Sequence, residues 1–200
     1  MKNIVKPTLI LLLICVISSA ILSVLYSNTK PIIEQNQKEN IENARKAVLP
    51  DAVKDKFLAV DINNVEEGKE GFIADSIMFY KGYDEKGKLI GFTFQASGQG
   101  YSSSAEVKTM VGIDLNMKIE KITIIQQQET PGLGANCSNP KFAQRFTEKD
   151  PAAIKVDKDG GSIESITGAT ITTRAVTNSI RNKFVKLQDD FKKQMQGGEK

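Results

Sequence analysis

The sequence predicts an α+β protein: an N-terminal transmembrane helix and a stalk helix, followed by one domain of antiparallel β-hairpins that ends in an amphipathic helix. Three observations predict it. An uncharged apolar run lies near the N-terminus, two pairs of β-rich runs are joined by short polar loops, and apolar residues near the C-terminus recur every three or four positions. A chain of 200 residues suits one globular unit plus an appendage, because cores usually divide only beyond roughly 250 residues.

The first element is the run from Thr8 to Leu25, TLILLLICVISSAILSVL, 18 residues without a charge and at the lower end of what spans a hydrocarbon core. Tyr26 follows where an interfacial aromatic belongs, so the span is taken as 8–26. A cleaved signal peptide requires a shorter apolar region and a small-residue site of A-x-A type. Ser18-Ser19-Ala20 matches that poorly, and Ile21, Leu22, Val24 and Leu25 continue the apolar run beyond it, which favours a retained anchor. Cys15 follows bulky Leu13 and Ile14, which argues against a lipoprotein site. Lys2 and Lys6 precede the span with no acidic neighbour, whereas Lys30 beyond it is offset by Glu34. The positive-inside rule therefore puts residues 1–7 in the cytoplasm and the folded domain on the extracytoplasmic side of a cell membrane.

Residues 27–50 form the expected stalk. Within it Ile33, Gln37, Ile41, Ala44 and Val48 fall on a broadly helical spacing that stops just before Pro50. The extracytoplasmic domain is then 51–200. Ser76 to Tyr83 and Lys88 to Gln95 flank Asp84-Glu85-Lys86-Gly87, and Val107 to Ile113 and Ile119 to Gln126 flank Asp114-Leu115-Asn116-Met117-Lys118, so both pairs read as antiparallel hairpins. Val176, Ile180, Phe184, Leu187 and Phe191 mark the terminal helix, which gives way to a frayed tail, Gln196-Gly197-Gly198-Glu199-Lys200.

Composition removes several function classes. A net charge of +3, from 27 basic and 24 acidic residues, is too weak to argue for nucleic acid. Without histidine or tryptophan the chain has no imidazole for acid–base or metal chemistry and little surface for stacking bases. Cys15 and Cys137 lie too far apart in kind to read as a disulfide framework, and Cys137 reads as a small packed or surface residue with no role assigned. No catalytic group and no metal site are expected.

The informative stretch is Glu164-Ser165-Ile166-Thr167-Gly168-Ala169-Thr170-Ile171-Thr172-Thr173-Arg174, immediately before the amphipathic helix. On residue chemistry it is a hydroxyl-rich helix start. Gly168 and Ala169 leave the backbone approachable, so free amides at the helix start can receive an anion such as a phosphate, with Arg174 one turn on as a further partner. A capped helix with no ligand is the plainer reading of the same residues. A second segment, Glu129-Thr130-Pro131-Gly132-Leu133-Gly134, directly follows a predicted strand. Pro131 fixes a turn there, while Gly132 and Gly134 permit positive φ and close backbone approach.

Thr167-Gly168-Ala169-Thr170, with acidic Glu164 three positions before and hydroxyls at Thr172 and Thr173, resembles the flavinylation motif of the FMN-binding domain family. Glu164 departs from the Asp usual in the motif, and Thr167 replaces the commoner Ser. The family includes the G subunit of Rnf-type ion-translocating oxidoreductases and the C subunit of the sodium-pumping NADH:quinone reductase. The resemblance implies that a separate flavin transferase joins FMN, through its phosphate, to the hydroxyl of Thr170. Glu129, Thr130, Pro131, Gly132, Leu133 and Gly134 resemble the family's flavin-pocket loop. Gly98-Gln99-Gly100-Tyr101-Ser102-Ser103 and Val111-Gly112-Ile113-Asp114 also look like the family, which puts Tyr101 beside the flavin ring.

The resemblance runs from about Ser76 to Val185, and the compact chain looks more like the G subunit of Rnf than the longer quinone-reductase subunit. It implies an electron-transfer subunit without a catalytic site of its own. The implied partners are the other membrane and redox subunits of an Rnf-type complex, which couples electron transfer between ferredoxin and NAD to movement of sodium ions or protons. Two alternatives remain open at this point: a flavinylated subunit of the quinone reductase or of another extracytoplasmic redox system, and an anchored binding module without redox chemistry.

Overall fold

The computed structural model describes residues 2–53, 56–61 and 78–196. The chain divides into two units, Met1–Asn40 and Ile41–Lys200. Helix α1 spans Lys2–Val48 without a break, so the expected transmembrane and stalk helices are one element with Pro31 inside it. A proline removes one backbone donor and crowds the carbonyl four residues back, at a cost of about 3 kcal/mol, and the helix nonetheless continues through it. Side chains from 5 to 40 are exposed, and the helix is long and apolar enough to cross a membrane.

The second unit is built on a five-stranded antiparallel sheet in sequential order: β1 Phe57–Asp61, β2 Met78–Tyr83, β3 Leu89–Gln99, β4 Glu106–Asp114 and β5 Ile119–Gln126. Both expected hairpins are present, although Ser76 and Ile77 lie outside the described residues. Their loops share one device. Asp84 Oδ1 accepts hydrogen bonds from the amides of Lys86 at 2.9 Å and Lys88 at 2.8 Å, and Asp114 Oδ1 accepts from the Lys118 amide at 2.7 Å. Two features differ from the sequence reading. Strand β1, which pairs with β2, was not expected, and β3 runs on to Gln99 so that Gly98 pairs with Val107.

Alternation along the strands sorts the sheet into two faces. Phe92, Phe94, Val107 and Val111 join Phe79 in the main core, against helix α3, Thr170–Gln196. The expected stripe of α3 (Val176, Ile180, Phe184, Leu187 and Phe191) is buried there. Phe191 stacks on Phe92, with centroids 4.9 Å apart at 25°, and meets the edge of Phe79 at 4.8 Å and 81°. Met110, one position out of phase, packs with Ala44 and Val48 from the end of α1. Between β5 and α3 the chain forms a 3-10 turn, Gly134–Ser138, a short helix α2, Pro140–Gln144, and a second turn, Asp157–Asp159. This connecting region carries Cys137 and Phe142 into the core, with Phe146 just beyond α2.

Candidate functional site

The site grows from the start of α3. The Ala169 amide donates to the Ile166 carbonyl at 2.9 Å, closing a turn in which Gly168 takes φ +74°, a conformation that strains any residue with a Cβ. The first bond of the helix then runs from the Thr173 amide to the Ala169 carbonyl at 3.1 Å. Ala169 therefore occupies the cap position and has no side-chain oxygen to offer. Among the described residues the amides of Thr170, Ile171 and Thr172 have no hydrogen-bond partner; Thr172 is fully buried, so the helix start is open to an external acceptor at the half-buried Thr170 and the exposed Ile171.

The hydroxyls of this stretch are not equivalent. Thr173 Oγ1 donates to the Ala169 carbonyl at 3.0 Å and accepts from the Ile166 amide at 3.1 Å, and it is fully buried. Thr172, also fully buried, donates to Glu129 Oε2 at 2.5 Å. Ser165 is held by Asp157, whose carboxylate accepts from both its hydroxyl and its amide. Thr170 is half-buried and its hydroxyl has no partner among the described residues, while Thr167 is exposed on the turn.

The other two motif segments meet this helix start. Glu129 to Gly134 is a turn in which the Leu133 amide donates to the Thr130 carbonyl at 3.1 Å, with Pro131 second and Gly132, at φ +77°, third. Asn136 Nδ2 donates to the Gly132 carbonyl at 2.9 Å and steadies it. Thr130, Pro131, Gly132 and Leu133 are exposed, and Leu133 Cδ2 lies 3.0 Å from where a Cβ on Gly168 would stand. Gly98 to Ser103 ends β3 and enters the β3–β4 loop, which leaves Tyr101 72% exposed. Tyr101, Leu133 and Ile171 are exposed apolar side chains on the three segments that Glu129 and Thr172 join. Val111 to Asp114 is placed elsewhere, since a Cβ on Gly112 would fall 2.1 Å from the Val48 carbonyl at the end of α1.

The three segments share one buried carboxylate. Glu129, 6% exposed, accepts from the Ser102 amide at 3.0 Å on Oε1, and from the Tyr101 amide at 3.2 Å and the Thr172 hydroxyl on Oε2. Gly134 supplies close approach here: a Cβ on it would stand 2.5 Å from Glu129 Oε2 and 2.7 Å from Thr172 Oγ1. The close approach expected toward a flavin is, at this glycine, made to the protein's own carboxylate and hydroxyl.

Charged groups flank the opening. Arg174 forms a two-pronged pair with Asp159, Nε to Oδ2 at 2.9 Å and a terminal nitrogen to Oδ1 at 2.7 Å. Hydrogen bonding to Arg174 holds the Asp159 carboxyl below the usual carboxylate range, and the Ser165 hydroxyl does the same for Asp157. Glu164 is exposed and its carboxylate stands 3.7 Å from Arg145. Thr172 and Ser102 entered the sequence reading only as members of matching segments, and Asp159 not at all. The i, i+4 spacing of Thr172, Val176 and Ile180 does place Thr172 on the buried face of α3, but nothing in the sequence names Glu129 as its partner.

Residues 100–184 match the model of the FMN-binding domain, and residues 1–48 match that of the RnfG N-terminal region. The chain is 32% identical to the G subunit of the proton-translocating ferredoxin:NAD(+) oxidoreductase complex of Clostridium ljungdahlii, covering 84% of this chain and 82% of that one. It is 32% identical to the G subunit of the Na(+)-translocating ferredoxin:NAD(+) oxidoreductase complex of Acetobacterium woodii, covering 90% and 89%. The fold resembles the crystal structure of Shewanella oneidensis NqrC, with a TM-score of 0.62 and 14% identity over 79% of this chain and 99% of that one.

Proposed function

The chain belongs to the family of G subunits of ion-translocating oxidoreductase complexes, and from that membership we propose that it is a membrane-anchored electron-transfer subunit carrying FMN on Thr170 through a phosphoester. The observation that carries the attachment is the contrast among hydroxyls. Thr172 and Thr173 are buried and bonded, whereas Thr170 is half-exposed and unbonded, with its own amide and that of exposed Ile171 unpaired. Thr167 is also accessible, and the motif resemblance selects Thr170 over it.

These residues fit the group. The amides of Thr170 and Ile171 would hold phosphate oxygens at the positive end of the helix, and Tyr101, Leu133 and Ile171 would offer apolar surface to a flat ring. Pro131 and Gly132 shape the turn beside them. Arg174 reaches a phosphate only by leaving Asp159. When bound, FMN supplies one- and two-electron transfer, so the protein needs to position and retain it rather than provide an acid or nucleophile. A flavin transferase would form the bond from Thr170 Oγ1 to the phosphorus of an FMN group activated as a flavin dinucleotide, the pyrophosphate bond breaking so that the nucleoside monophosphate leaves and the hydroxyl proton passes to solvent, and the chain gains FMN less one water.

The apolar part of α1 confines the domain to the bilayer and raises its effective concentration against membrane-embedded redox partners. By the positive-inside argument the domain faces the extracytoplasmic side, where a covalent tether prevents loss of the flavin. With two cysteines and no dinucleotide fingerprint, the chain leaves iron–sulfur centres, NAD binding and the ion path to the other subunits of an Rnf-type complex. The match of residues 1–48 to the RnfG N-terminal region favours this assignment over the quinone-reductase subunit. The test is a denaturing gel of membranes from cells that also express a flavin transferase. A band fluorescing under ultraviolet light at 22.0 kDa is expected. A dark band, with a known flavinylated protein glowing in the same lane, would overturn the proposal.

A further inference from the structure

We infer that Glu129 and Thr172 form a positioning device: the buried carboxylate fixes the start of α3 through the Thr172 hydroxyl, so that Thr170, and not a neighbouring hydroxyl, is presented for flavin attachment. This rests on the reading of Thr170 as the attachment site.

Successive helix residues are about 100° apart, so residues two apart point to nearly opposite sides. Thr172 is drawn inward to Glu129 Oε2 at 2.5 Å, and this rotation turns Thr170 outward. From the next position Thr173 bonds back to Ile166 and Ala169, which pins the turn that carries Thr167 and Gly168. The same carboxylate receives the Tyr101 and Ser102 amides, so the loop bearing Tyr101 is registered to the helix start by one group.

Burial of this carboxylate has a cost that packing alone does not explain. Among the described residues no basic side chain pairs with it, and its charge is met by two amides and one hydroxyl. Gly100 and Gly134 both stand against it, where a Cβ on either would lie 2.4 or 2.5 Å from a carboxylate oxygen. A keystone that joins three loops of a ligand site, with its own oxygens turned away from solvent, acts on the ligand through the groups it holds.

The test compares the wild-type full chain with Thr172→Val, Thr172→Ser and Glu129→Gln in detergent, at a temperature where each is folded. The flavinylation rate with purified transferase and the attachment site, by peptide mass, are both read. Thr172→Val keeps the buried shape but loses the donor, and Thr172→Ser keeps the donor but loses a methyl group. The account predicts that Val slows labelling by on the order of tenfold to a hundredfold, the effect of misplacing a reacting group, and that some label shifts to Thr167. Ser should stay within about threefold of wild type, and Glu129→Gln should resemble Val because it removes an acceptor.

A structural role through packing alone predicts the reverse order, with Val nearer wild type than Ser, and that order overturns the inference. A variant-free measurement runs alongside. In the wild-type chain the Tyr101 and Ser102 amides should exchange as slowly as those of β4, although they lie in a loop, and free exchange there would also overturn it. If wild-type label sits on a residue other than Thr170, the attachment reading fails, and the exchange result still decides whether Glu129 holds the loops.

Discussion

Adding one methyl group at Gly134 tests the Glu129 cluster from the backbone side. In Gly134→Ala the new Cβ would stand 2.5 Å from Glu129 Oε2, 2.7 Å from Thr172 Oγ1 and 2.8 Å from Glu129 Cβ, so the carboxylate must move away from Thr172. Weakening a hydrogen bond to a charged group costs about 1.5–3 kcal/mol, and overpacking a filled site costs about 1–3 kcal/mol. The carboxylate relieves one by yielding on the other, so we expect a loss of about 2–4 kcal/mol rather than the full sum. At about 2–4 °C per kcal/mol for a domain of this size, the thermal midpoint should fall by roughly 5–15 °C. Gly132→Ala is the matched control. At φ +77° it is strained but meets no atom within 4 Å, and with the entropy it removes from the unfolded chain it should lose about 1 kcal/mol and roughly 2–4 °C. Circular dichroism of the full chain in micelles reads both midpoints against the constant background of the embedded helix. If Gly134→Ala falls no further than Gly132→Ala, the close packing around Glu129 is refuted.

Three further outcomes follow from the topology and the charged groups. Protease added to intact spheroplasts should digest the domain, and full protection would reverse the proposed orientation. Burial, with a smaller contribution from the nearby Glu129 charge, pushes the Cys137 thiol up to about 11. Stability from the neutral thiol is therefore fully present below the ordinary value of about 8.5 and is lost as pH rises toward the raised one. Iodoacetamide at pH 8 should leave Cys137 unmodified in the folded chain and alkylate it in denaturant, and peptide mass showing folded-state labelling would contradict its burial. The Asp159 carboxyl is depressed by Arg174, so its pairing is present above about pH 3.9 and lost as pH falls through the lowered value. Asp159→Asn should speed amide exchange in residues 157–163 with little change in midpoint, because the pair is exposed, and a large drop in midpoint would assign it a structural weight this geometry does not support.

The architecture was legible wherever periodicity was strong. The Val176 to Phe191 stripe specified α3, and the two hairpins followed from strand runs flanking Asp-led loops. Strand β1 was missed because FLAVD is short, has little alternation and takes its identity from pairing with β2. The boundary between span and stalk was set after Tyr26, where the apolar run ends, and α1 continues through that point and through Pro31 as one helix. At the site, Pro131 and Gly132 announced their turn, whereas Gly168 was read only as a small residue and its positive φ was not anticipated. The Glu129–Thr172 bond spans 43 residues of sequence and depends on how β5 and α3 meet, which no local pattern encodes. The Arg174–Asp159 pair was missed for the same reason, and it places Arg174 on a carboxylate where the sequence reading gave it to a phosphate.

The central claim is that one hydroxyl carries the flavin, and it is tested most directly by locating the adduct. The full chain and its Thr170→Val variant, each expressed with a flavin transferase, would be digested and the peptides spanning Glu164 to Arg174 weighed and fragmented. Valine keeps the shape of threonine and removes only the hydroxyl. The account predicts that the wild-type peptide gains FMN less one water with the fragment break at Thr170, and that the folded Thr170→Val chain gains nothing. Full FMN on the variant, with fragments placing it on Thr167 or any other residue, would contradict it.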